Sequence, residues 1–205
     1  MQTNVPRNPR LTLPRPRRGV PQETRSRLIA AAALLFNRVG FYGTDSNKIA
    51  QAAGYSTGVF YRHFKDKREI FLAAYEQWSI AEWEEVTTIL SSGGSDREMA
   101  RELVLMFIDV HARWRGLLAS LRQLVFTDET VRRFHRTQRK RQLDWMAQLR
   151  AQRNASPRRR EQDIVFLYAT ERTFDAIAQG ELRALGLNRQ LVIEAMVEST
   201  IAALS

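Results

Sequence analysis

The chain has 205 residues, 44% of them apolar, a formal net charge of +10 and no cysteine. That length suits one large domain or two small ones, and the missing cysteines exclude disulfides, thiolate metal sites and zinc fingers while permitting a reducing compartment. The longest unbroken apolar run, residues 28–36, is far short of the roughly 20 that span a bilayer, so no membrane segment is expected.

The charge is concentrated at one end. Residues 1–72 carry 13 Lys and Arg against 4 acids, whereas residues 73–205 carry 19 against 18. A basic excess confined to the N-terminal third is the pattern expected when one domain meets phosphates and the other does not. Residues 1–21 hold five of the six prolines together with Arg7, Arg10, Arg15, Arg17 and Arg18, and no acid. With no apolar block behind the arginines this is not a secretory signal; it reads as a disordered arm, either a solvated tail or a basic segment laid along DNA.

Residues 22–39 place Leu28, Ala32, Leu35, Phe36 and Val39 at helical spacing, and Gly40 closes that helix. Residues 44–67 then read as two short helices around a tight turn. Thr44 is placed to cap the first, Asp45 stands at its positive end, Ile49, Ala50 and Ala53 share one face, and Gly54 stops it. Ser56 is placed to cap a second helix from Thr57 to about Phe64. There Phe60 and Phe64 face inward and leave Thr57, Gly58, Tyr61, Arg62 and His63 outside. A small residue in the turn lets the helices cross closely, which is helix-turn-helix geometry. The small core of this three-helix unit would be Leu28, Ala32, Leu35, Phe36, Ile49, Ala53, Phe60 and Phe64.

On Gly40-Phe41, Thr44, Ile49-Ala50, Ala53-Gly54, Tyr61-Arg62-His63-Phe64 and Lys67, the sequence resembles the TetR family of bacterial transcriptional regulators, without a gap over about residues 23–72. Two positions depart from the usual pattern: Asp45 stands where Ser or Thr is common, and Lys48 where an acid is common. The resemblance implies that Asn47, Thr57, Gly58 and Val59 face base edges, that Tyr61, His63 and Lys67 hold phosphates, and that Arg62 serves either purpose. Physical chemistry agrees, since the N-terminal residues of a recognition helix enter the major groove and hydroxyl, imidazole and ammonium groups suit phosphate oxygens. As partners it implies double-stranded DNA with a palindromic operator, a second copy of the chain and a small-molecule effector of unspecified identity. It implies no cofactor, no metal and a cytoplasmic, DNA-associated location.

Residues 67–90 form a long helix carrying Ile70, Phe71, Ala74, Trp78 and Ala81, ended by the loop 91–95. Beyond it every segment reads as helix: 96–119, with Leu103, Phe107, Val110 and Trp114 on one side; 128–154; 164–185; and 190–204. Residues 131–160 hold eleven Lys and Arg against the single acid Asp144. A second nucleic-acid surface is one account; a solvated face on a packed helix, with Phe134, Leu143, Trp145, Met146 and Leu149 inward, is the other. Phe107, His111, Trp114, Gln123, Phe126, Phe134, Trp145, Phe166 and Tyr168 are candidates to line an apolar ligand cavity, although aromatic stripes are commonly plain core. The final helix is apolar around much of its circumference and calls for a cover. Leu191, Ala195, Ser199, Ala202 and Ala203 are the candidate dimer interface, and the resemblance implies pairing through the last two helices.

The reading is therefore an all-α protein. It has a basic arm (1–21), a three-helix helix-turn-helix DNA-binding unit (22–68) and a larger helical ligand-binding and dimerisation domain (69–205). Its function is that of a sequence-specific transcriptional regulator, a repressor released by a ligand. The alternatives are an activator of the same fold, a nonspecific nucleoid-type DNA-binding protein and an enzyme. The last lacks a Gly-rich phosphate loop, a His-x-x-x-His pair or a Gly-x-Ser-x-Gly elbow to support it.

Overall fold

Apolar residues at 3.6-residue spacing, punctuated by capping residues, give ten helices and no strand among residues 21–205, the residues that the computed structural model describes. The basic arm, apart from its last residue, lies outside them. Pro21 is that last residue, and it opens the first helix instead, at a position where its missing N–H is no loss. The helices are α1 (Pro21–Val39), α2 (Ser46–Ala52), α3 (Thr57–His63), α4 (Lys67–Leu90), α5 (Asp96–Arg113), α6 (Arg115–Thr127), α7 (Glu129–Gln152), α8 (Arg160–Ala178), α9 (Glu181–Ala184) and α10 (Arg189–Leu204).

The chain divides into two compact units between Gln77 and Trp78, inside α4, later than the boundary expected after residue 68. The first turns of α4 belong to the N-terminal unit because Ile70, Phe71 and Ala74 are buried in its core with Leu28, Ala32, Phe36, Ile49, Ala53, Phe60 and Phe64. Leu35 is only half-buried and Val39 is 44% exposed, so the inward stripe of α1 turns onto Ile29 and Ala33. Phe36, Phe60, Phe64 and Phe71 are the largest fully buried side chains, each contributing on the order of 1.5–3 kcal/mol. Phe71 meets Phe36 edge-on at 5.1 Å, which ties α4 to α1.

In the second unit α5 is buried on two sides. Ala100, Val104 and Ile108 pack with Phe174 of α8 and with Ile193, Met196 and Val197 of α10. Met99, Leu103, Met106 and Val110 pack with Val86 and Ile89 of α4, flanked by Trp83, Trp114 and Trp145. The helix expected over 96–119 is broken at Trp114, whose φ −107° and ψ 21° turn the chain into α6. Neither glycine nor proline occupies that position; the nearest such residue is Gly116, two residues on. The helix expected over 164–185 starts earlier, at Arg160, and breaks at Gly180 (φ 75°), with the short α9 beyond it. Arg101 on α5 pairs with Glu194 on α10, and Arg97 bridges Glu194 and Glu198.

Candidate nucleic-acid interface

The first helix of the reading pair is capped by Asp45, not Thr44. Asp45 accepts from the Lys48 amide N–H at 2.8 Å, and that hydrogen bond, with the Lys48 ammonium, holds its carboxyl below the usual range against a small desolvation penalty. Thr44 is buried at 2% exposure and donates its hydroxyl to the Gly40 carbonyl at 2.9 Å, pinning the end of α1 to the loop. The two departures noted in the sequence are one compensated exchange. With the acid moved to the cap, Lys48 three residues on reaches back to it, Nζ to Oδ2 3.5 Å, and donates to the Gly43 carbonyl at 3.0 Å.

The turn is closed by Gly54, at φ 84°, with the Tyr55 amide donating to the Ala50 carbonyl at 2.9 Å. Ser56 has the extended backbone of an N-cap, but its side chain makes no capping hydrogen bond. Phe60 (0%) and Phe64 (1%) anchor α3 from beneath, and the Arg25 guanidinium of α1 lies 4.9 Å over the Phe64 ring. That burial orients the other face outward: Gly58, Tyr61 and Arg62 are exposed, and Thr57, Val59 and His63 half-exposed. Asn47, also exposed, joins them from α2, because the Thr57 hydroxyl donates to its Oδ1 at 2.6 Å. A Cβ added at Gly58 would meet only Ser56 Oγ, at 3.9 Å, so nothing within the protein requires glycine there.

Lys67, expected to hold a phosphate, also braces the protein itself. Its ammonium donates to the carbonyls of Phe41 (2.8 Å) and Thr44 (2.9 Å) and lies 4.2 Å from the centre of the Phe41 ring. Burial lowers its pKa, partly offset by Asp45. It is the clamp that fixes the α1–α2 loop on the start of α4. The α3–α4 connection is held similarly: Asp66 accepts from the Glu69 amide (2.8 Å), and Glu69 accepts from the Lys65 amide (2.6 Å).

The nine residues considered for a ligand cavity do not gather around one space. Phe126 is 80% exposed, Tyr168 54%, and Gln123 is exposed as well, so these three are surface residues. Phe107 stacks on Phe174 at 5.3 Å, Trp145 meets Trp83 at 4.6 Å, and Trp114 packs against the same cluster of α4 and α5, all partly buried at the core. Phe134 and Phe166 are half-buried. His111 is buried, with Nδ1 2.9 Å from Asp175 Oδ1, and Arg122 reaches the other carboxylate oxygen at 2.5 Å. Burial opposes the charge on Asp175, but His111 and Arg122 prevail and hold its pKa below the ordinary value. A groove of about 560 Å³ does lie between α4 and α5, lined by Glu85, Ile89, Arg101, Glu102, Leu105 and Met106 among others, none of them among the nine.

Sequence reading missed the polar interior between α7 and its neighbours. Arg139 grips Glu171 of α8 through two contacts of 2.5 Å and donates to Gln142 at 2.7 Å, while Arg150, at 3% exposure, pairs with Asp163 and donates to the Ala203 carbonyl at 3.2 Å. The available signal was helical phase: Arg139 and Arg150 share a stripe with Val131, Gln138 and Met146, and an acid-poor helix hides which of its arginines turn inward. On α10, Leu191, Ala195, Ser199 and Ala202 are exposed as a partner surface requires. Ala203 is fully buried within its own chain and is removed from that list.

Residues 28–74 match the family model described as bacterial regulatory proteins, tetR family. The HTH-type transcriptional regulator AcrR of Shigella flexneri is 41% identical over 61 residues, 30% of this chain and 27% of AcrR. HbdR of Aromatoleum sp. (strain CIB) is 40% identical over 63 residues, 28% of its length, so the chain matches about a quarter of each of these relatives. Among solved structures, the TetR-family transcriptional regulator SCO4454 of Streptomyces coelicolor superposes over 89% of this chain and 95% of its own, with TM-score 0.65 and 20% identity. Residues 28–74, which include the reading pair, thus match the N-terminal domain of the tetR family, and the helices after it share the fold of the solved structure.

Proposed function

We propose that this protein is a sequence-specific DNA-binding transcriptional regulator, a repressor that leaves a two-fold symmetric operator when a small molecule binds. The observation that carries the reading is the exposed face at the start of α3. Gly58 weakens a helix by about 0.5–1 kcal/mol relative to alanine and answers no internal packing need, so its use lies in the close approach of something outside. The charge excess of the first 72 residues makes that something anionic. Asn47, Thr57, Gly58 and Val59 take base edges, Tyr61 and His63 take phosphates, and Arg62 takes either.

The partner surface is the exposed face of α10, Leu191, Ala195, Ser199 and Ala202, extended by Val165 and Tyr168 of α8, which packs against α10. A second copy seated there gives an isologous dimer and two identical reading heads. The ligand enters the second unit. Selection of bound sequences from a random DNA pool tests the whole reading: a palindromic consensus should emerge, bound orders of magnitude more tightly than unrelated DNA at the same salt. One affinity for every sequence would make the protein a nonspecific DNA coater instead.

A further inference from the structure

The bases of residues 131–160 fall into two sets once the helices are packed. Arg139, Arg150 and Arg153 turn onto Glu171, Asp163 and Asp96, Arg132 and Arg158 onto backbone carbonyls, and Arg160 onto Asp144. Arg133, Arg136 and Lys140 form the other set. They stand at i, i+3 and i+7 on α7 and all are exposed, so they make one stripe on its outer face. Arg136 and Lys140 meet no acid among the described residues. Arg133 has only Glu129 at 4.0 Å, a carboxylate that Arg132 already holds at 2.6 Å. We infer that this stripe is a second DNA surface, which holds backbone phosphates without regard to sequence. The inference rests on the DNA binding proposed above and adds to the reading pair a contact in the second unit.

Charge and the character of the face decide the partner. The acids on the same face, Glu129 and Asp144, stand at the two ends of the stripe, and Arg132 and Arg160 occupy them. The charge of the stripe is therefore not cancelled where it stands, although residues 73–205 as a whole are nearly balanced, with 19 bases against 18 acids. From Arg133 to Lys140 the helix advances about 10 Å, a length over which one DNA strand carries about three phosphates. A lipid surface or a protein partner would ask for more than charge. An interfacial helix needs large apolar side chains beside its bases, and a protein interface needs a buried aromatic or aliphatic anchor. No large apolar side chain of α7 is exposed: Val131 and Met146 are buried, and Trp145 packs on Trp83. A polyanion needs no such anchor, because counterions released from its phosphates drive the binding.

The test compares the full-length protein with two triple variants. The stripe variant carries Arg133→Gln, Arg136→Gln and Lys140→Gln; the control carries Arg115→Gln, Arg183→Gln and Arg189→Gln, which removes the same charge from scattered exposed positions. Glutamine is as good a helix former as the residues it replaces, and thermal unfolding establishes that each variant is folded. Affinity for a long duplex carrying the selected operator is measured between about 50 and 200 mM salt. The stripe variant should bind more weakly, and its slope of log affinity against log salt should be flatter by roughly 2 to 3 per protomer, at about 0.9 for each phosphate. The control should keep the parent slope, and both variants should select the parent consensus from a random pool. An unchanged slope in the stripe variant, an equal flattening in the control or an altered consensus would overturn the inference. So would a stripe variant that loses binding to vesicles of phosphatidylserine and phosphatidylcholine while its DNA slope stays put. A parent protein that selects no consensus would remove the regulator reading, and the slopes on the long duplex would still decide the stripe.

Discussion

Gly58 separates the needs of the fold from those of the partner. With open space around its Cα and a place in the first turn of α3, Gly58→Ala should leave thermal stability unchanged or slightly raised. The same methyl group stands where a base edge must come close, so operator binding should fall by an order of magnitude or more, on the scale of about 1–3 kcal/mol for a lost base contact. Unfolding curves and binding isotherms on one preparation decide it; unimpaired binding would deny the glycine its role. A second residue-scale prediction concerns Glu82 of α4. Burial, and then the neighbouring Glu171, push its carboxyl from an ordinary 4.5 to about 8, against the pull of Arg139. Between those two values the folded chain holds a proton that the unfolded chain has lost, so Glu82 subtracts stability progressively as pH rises through that window. His135, held below its ordinary 6.5 by burial and Arg139, acts in the opposite sense as pH falls. The readout is therefore the difference between Glu82→Gln and the parent protein. The variant should gain relative stability with rising pH, and a constant difference would contradict the shift.

At the scale of the element, Lys67 shows how a short motif is stiffened. Two charge-assisted hydrogen bonds and a ring contact join the first residue of α4 to the loop ahead of α2. Lys67→Ala should therefore destabilise the protein by on the order of 1–3 kcal/mol, measured by denaturant unfolding. A lysine used for phosphate alone would leave stability unaltered and lower only the salt slope of binding. The exchange of charge between Asp45 and Lys48 belongs to the same scale. It keeps α2 capped although neither residue is of the usual type.

For the molecule as a whole, the proposed dimer is the testable feature. Ala195 lies on the exposed face of α10, opposite Ile193, Met196 and Val197, which α5 and α8 already cover. Ala195→Arg should shift the protein toward monomer in equilibrium sedimentation and weaken operator binding with it, since each half-site then binds alone. An unchanged dimer would place the interface elsewhere.

The sequence by itself determined the helical class, the bounds of α1, α3, α4, α7 and α10 to within a residue or two, and the reading pair. Local chemistry suffices for these: helical spacing, an N-cap such as Asp128 or Asn188, and a glycine in the turn after α2 act over a few residues. Only the tertiary structure decided what depends on distant partners. The helix breaks at Trp114, itself no breaking residue, where its ring packs against the cluster of α4 and α5. Lys67 turns inward because two carbonyls, 23 and 26 residues away, converge on it. Arg139, half-buried, and Arg150, buried, two of eleven bases in one stretch, turn inward because Glu171 and Asp163 come to meet them from α8. Helical period tells which residues share a face, but which of two amphipathic faces is covered is fixed by the charges and shapes of the helices packed against it.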